Sequence, residues 1–71
     1  MHPEYINIGT VEGRLIEECS ELILAISKAT RFGRSSNNMG KNEYTNEEQV
    51  YRECNDVRRA IDNLMIEWTK E

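Results

Sequence analysis

Apolar residues recur along the chain at the spacing of a helix face. Leu15, Cys19, Leu22, Ile26 and Ala29 follow one another at steps of four, three, four and three, a period that fits a helix and excludes a strand. The spacing predicts a first helix over residues 10–32. Thr10 is placed to cap its start, and Gly33 follows the last periodic residue as a stop. Residues 33–45, GRSSNNMGKNEYT, break the period and read as a loop. A second stripe, Val50, Cys54, Val57, Ile61, Leu64 and Trp68, predicts a second helix over residues 46–70. Thr45 with Glu48 three positions on forms a capping box, and Glu47 adds a favourable charge to the first turn. Each helix would be roughly 30 Å long. The expected fold is all-α: an antiparallel helical hairpin. Ile16, Ile23, Tyr51 and Met65 lie off the main stripes and widen the apolar face. A lone hairpin would leave that face in water, so the expectation is a homo-oligomer, dimer or tetramer, forming a four-helix bundle.

Size sharpens that expectation. The chain has 71 residues, room for one domain over residues 1–71. A domain this short buries only about 60% of its unfolded surface and usually needs a staple, a metal or a partner. Two cysteines are too few for a stapled mini-protein. With His2 as the one histidine, the chain also lacks a four-ligand zinc set. Nine basic against thirteen acidic residues give a net charge of −4, which argues against nucleic acid as a partner. No run of about 18 apolar residues marks a membrane span. The leader, residues 1–9, lacks the regions of a signal peptide, so the expected location is cytoplasmic.

The candidate chemistry lies in two matching turns. The first helix carries Glu18-Cys19-Ser20-Glu21 and the second Glu53-Cys54-Asn55-Asp56. Residues three apart on a helix are neighbours, so Glu18 projects with Glu21 and Glu53 with Asp56. In an antiparallel hairpin the two pairs can face each other. Four converging carboxylates would repel strongly without a cation, and Mg2+ or Mn2+ is the hard ion that oxygen ligands suit. The plainer reading is a set of solvated helix-face charges. Against it, Glu17, Glu18 and Glu21 cluster with only Arg14 as a basic residue within a turn.

At these residues the sequence resembles the MazG-like all-α nucleoside triphosphate pyrophosphohydrolases. The resemblance rests on Glu18-x-x-Glu21 inside Leu15-Ile-Glu-Glu-Cys-Ser-Glu-Leu22, and on Glu53-x-x-Asp56 followed by Val57. It covers roughly residues 10–68 and is nearest to the short members often carried by phages and prophages. It implies that Glu18, Glu21, Glu53 and Asp56 hold magnesium against a nucleoside triphosphate, which is hydrolysed to a monophosphate and pyrophosphate. Metal would neutralise phosphate oxygens and activate water. Lys28, seven after Glu21, is then placed to reach a phosphate, and Asn63, seven after Asp56, to touch base or sugar. Arg31, Arg34 and Lys41 border the loop and can close over a triphosphate. Each of these also reads simply as a solvated polar residue. Gly40-Lys41 lacks the spacing of a P-loop. Cys19 and Cys54 read as small packed hydrophobes rather than nucleophiles, and Trp68 as packing at the end of the bundle. Two other functions remain open: a bundle that binds a nucleotide without cleaving it, and a purely structural helical oligomer.

Overall fold

The computed structural model describes residues 9–38 and 40–70. The leader before Gly9, including His2, lies outside them. The described residues form two helices packed against each other, α1 (Val11–Phe32) and α2 (Asn46–Thr69), with no strand among them.

Local chemistry sets the helix ends. The Thr10 hydroxyl accepts from the Gly13 N–H at 2.9 Å, satisfying one of the N–H groups a helix start leaves open. Thr45 and Glu48 complete the capping box: the Thr45 hydroxyl accepts from the Glu48 N–H, and the Glu48 carboxylate accepts from the Thr45 N–H. Such a cap contributes about 1 kcal/mol. At the end of α1, Gly33 turns the chain at φ 101° while its N–H donates to the Ala29 carbonyl at 3.0 Å. A β-carbon is strained at that φ, which is why glycine serves there.

The hairpin is closed at the loop by backbone and side-chain bonds together. Asn46 donates its N–H to the Ser36 carbonyl at 2.7 Å and its amide to the Gly33 carbonyl at 3.0 Å. The Glu47 N–H donates to the Arg34 carbonyl at 2.8 Å, and the Arg34 and Glu47 side chains form an ion pair. Further along, the Arg52 guanidinium lies 4.3 Å above the Tyr44 ring and anchors the second half of the loop to α2. At the opposite, open end the Trp68 indole N–H donates to Glu12 at 2.7 Å. Trp68 therefore bridges the helix ends while its ring stays half exposed.

The seam between the helices is not the apolar stripe. The buried residues are Glu18 and Ala25 on α1, and Asn46, Glu53 and Ala60 on α2. They recur every seven positions, the repeat of a helix–helix contact line. Ala25 and Ala60, each 4% exposed, let the backbones approach. Leu15, Cys19, Leu22, Ala29, Val50, Cys54, Val57 and Leu64 flank the seam and are only half buried. Ile26, Ile61 and Trp68, also on the stripes, are exposed. Among the described residues no large side chain is fully buried. The hairpin thus leaves most of its large apolar side chains half or more exposed instead of enclosing them.

Candidate metal centre

Glu18 from α1 and Glu53 with Asp56 from α2 meet across the seam. One oxygen from each of the three carboxylates lies within 4.8 Å of the others. The seven-residue repeat brings this about: Glu18 is one repeat before Ala25, and Glu53 stands midway between Asn46 and Ala60, so both glutamates sit on the line of closest approach. Asp56, one turn after Glu53, reaches the same place from the edge and stays half buried.

Each buried glutamate is half satisfied. Glu18 Oε1 lies 3.3 Å from Arg14 Nε, and Glu53 Oε1 accepts from Gln49 Nε2 at 2.8 Å. The second oxygen of each, Oε2, is buried without a hydrogen-bond partner. A buried acceptor left this way is costly, the more so when charged. Burial pushes the Glu18 carboxyl above the usual carboxylate range; Glu21, Asp56 and Glu17 push it the same way, while Arg14 pulls it down. A divalent cation held here would relieve both the repulsion and the two orphaned oxygens. The donors are all carboxylate oxygens, which suits magnesium or manganese. Cys19 and Cys54 sit one position past the two buried glutamates, toward the apolar flank, and add no sulfur to the set.

The remaining sequence-predicted residues distribute around this centre. Glu21 is exposed and stands outside the group of three. It lines a cleft of about 440 Å3 with Lys28, Lys41, Asn42, Gln49 and Glu53. Lys28 is therefore on the same face as the acids. Asn63 lines a smaller depression of about 170 Å3 beyond them, with Arg14, Glu18, Asp56 and Arg59. Arg31 lies 5.3 Å above the Phe32 ring, and Arg34 is engaged with Glu47. Lys41 is the loop cation that joins the acid face. Comparison with known protein families, curated proteins and solved structures gives no match. Two pairings escaped the sequence pattern, that of Gln49 with Glu53 and that of Arg14, noted only as the one basic residue within a turn of the acids, with Glu18. Their signal was present: Gln49 and Arg14 each stand four positions before their glutamate, the spacing at which helix neighbours bond.

The raised carboxyl of Glu18 predicts a pH response. A group whose proton is held more tightly in the folded state contributes stability at low pH, lost as pH rises through its folded pKa. Glu12, lowered by the Trp68 bond, and Glu48, lowered by the Thr45 N–H, act oppositely. Their contributions are present at higher pH and lost as pH falls through their folded values. In chelator, the melting temperature should therefore rise as pH falls from neutral toward the ordinary carboxylate value, then drop below it. Melting curves of Glu18→Gln across the same pH series should lack the rise; an unchanged rise would assign it to another group.

Proposed function

We propose that the chain is a magnesium-dependent nucleoside triphosphate pyrophosphohydrolase of the MazG-like kind, acting as a homo-oligomeric helical bundle. The observation that supports this most is the pair of buried, unpartnered carboxylate oxygens on Glu18 and Glu53, drawn together with Asp56 from two helices. A solvated charge face has no reason to bury carboxylates in the seam. The adjoining cleft adds the complementary chemistry, since Lys28 and Lys41 stand beside Glu21 and Glu53.

Glu18, Glu53 and Asp56 hold the metal, and Arg14 and Gln49 fix the two glutamates. Glu21 extends the acid set toward the cleft. Bound magnesium would supply charge neutralisation at phosphate oxygens and a more acidic water. Lys28 and Lys41 bind phosphate oxygens that reach into the cleft. The amides of Asn42 and Gln49 offer donors and acceptors to the polar parts of the nucleotide, and Asn63 does so from the far depression.

Product analysis over a panel of ribo- and deoxyribonucleoside triphosphates, with magnesium and with chelator, tests the reading. The expected result is monophosphate plus pyrophosphate, formed with metal only and lost in Asp56→Asn. Release of inorganic phosphate with a diphosphate would assign a different bond. Absence of turnover, with metal-dependent nucleotide binding retained, would leave a binding module.

A further inference from the structure

The cleft beside the acids is not charged throughout. Besides the groups described above, it is lined by Leu24, Ala25 and Tyr44. Leu24 is 57% exposed, a large aliphatic side chain set between Glu21 and Lys28 on the charged face of α1. Tyr44 comes from the other side, from the residue before the Thr45 cap of α2. The Arg52 guanidinium lies 4.3 Å above the Tyr44 ring, and Arg52 is not among the residues that line the cleft. It therefore backs the ring from outside and holds it as a wall. Ala25, 4% exposed on the contact line, forms a low floor between the two walls.

We propose that Leu24 and Tyr44 hold the nucleobase of the substrate between them and that Asn42 reads its edge. The assignment rests on the nucleotide chemistry of the proposed function. A nucleobase has two apolar faces and a polar rim, and proteins seat it between aromatic or aliphatic side chains while bonding the rim. The slot between Leu24 and Tyr44 supplies the faces. Three amides line the cleft and could meet the rim, but two are engaged: Asn46 Nδ2 donates to the Gly33 carbonyl and Gln49 Nε2 to Glu53. The Asn42 side chain has no hydrogen bond among the described residues, and its amide offers both a donor and an acceptor. The placement also fits. Leu24 stands six residues after Glu18, about 9 Å along α1 toward the loop, so a sugar and its first phosphate bridge from the slot to the acids. The cleft, about 440 Å3, has the size of a small-molecule site. The depression of about 170 Å3 beyond the acids is lined by no ring and no large aliphatic side chain. The base is thereby assigned to the loop side of the acids.

Titration calorimetry in magnesium tests the slot with two kinds of ligand. One is the set of four α,β-imido nucleoside triphosphates, which resist cleavage at the bond in question. The other is inorganic triphosphate, which carries the phosphates without a base. The wild type should bind the nucleotides at least about tenfold more tightly than inorganic triphosphate, the scale of one base stacked on an aromatic ring. Tyr44→Ala should lose about that factor for the nucleotides and leave inorganic triphosphate unchanged, while Tyr44→Phe, which keeps the ring, should bind as the wild type does. Leu24→Ala should lose nucleotide affinity in the same direction by a smaller factor. Because Tyr44→Ala can disturb the loop, Leu24→Ala keeps the test sharp: it alters an exposed position, and its melting temperature in chelator should match the wild type. Asn42→Ala should narrow the preference among the four bases. Equal affinity of the wild type for nucleotides and inorganic triphosphate, or nucleotide affinity unchanged in both alanine variants, overturns the base slot and leaves the metal and phosphate chemistry standing. Failure of every one of these ligands to bind overturns the proposed function and the slot with it.

Discussion

Glu18→Gln should stabilise the metal-free protein and abolish most of its stabilisation by magnesium. Glutamine keeps the shape and removes the charge from a residue that is 5% exposed and faces Asp56 and Glu53. Relief of an unsatisfied buried acceptor is on the order of 1–3 kcal/mol. The metal response is the larger effect. An ion at about a hundred times its Kd adds about 2.7 kcal/mol to a folded state that alone binds it. For a domain of this size that is on the order of 10 °C in melting temperature. The wild type should show such a shift between chelator and saturating magnesium, and Glu18→Gln should lose most of it. Glu21→Gln, altered at an exposed position outside the group of three, should retain more of the shift than Glu18→Gln. Equal shifts in wild type and Glu18→Gln would remove Glu18 from the metal set.

Ala60→Leu should cost the most stability of any single apolar substitution in the seam. Ala60 is 4% exposed at the contact line and lines the depression beside Glu18 and Asp56. The only space beside it is that small depression, which Glu18, Asp56 and Arg14 also line, so the added side chain must crowd the carboxylates or part the helices. Overpacking of this kind costs about 1–3 kcal/mol, a large share of the roughly 3–5 kcal/mol available to so small a domain. Separation also draws Glu53 and Asp56 away from Glu18, so the magnesium shift should shrink with the stability. Urea unfolding reads the first effect as a lower midpoint, and the same titration with magnesium reads the second. An Ile66→Ala variant, altered at an exposed side chain, should stay within about 0.5 kcal/mol of the wild type. An Ala60→Leu midpoint equal to that of the wild type would show that the seam is loosely packed.

The sequence was legible where chemistry is local and misleading where it depends on a partner surface. Thr10, Gly33, Thr45 and Glu48 mark the helix ends because capping joins residues at most four apart, and the observed ends fall within a residue of the predicted ones. The two apolar stripes were legible as helix faces. They were not a guide to the seam, because period identifies an apolar flank and not the neighbour it packs against. Here the line of contact is carried by Ala25, Ala60, Asn46 and two glutamates, residues that hydropathy assigns to no core. The pairing of an acid turn on each helix was visible from spacing. That Glu18 and Glu53 would lie inside the seam, with Glu21 left at its edge, depends on how each helix is rotated, and a few tens of degrees decide it. Arg14 stood in the sequence only as the one basic residue within a turn of the acids, and Gln49 carried no mark at all, because a single arginine and a single glutamine are common on any helix. Only the burial of their partners gives them a role.

The bond from the Trp68 indole to Glu12 gives the molecule an optical consequence. The chain has one tryptophan, and it bridges the helix ends farthest from the loop, joining residues 56 positions apart. Its emission therefore reports on one place, the mouth of the hairpin. A helical signal in the far ultraviolet averages over both helices, whereas this fluorophore senses whether their free ends are together. Any difference between the two signals during melting measures how far the hairpin opens from its ends before the seam around the acids gives way.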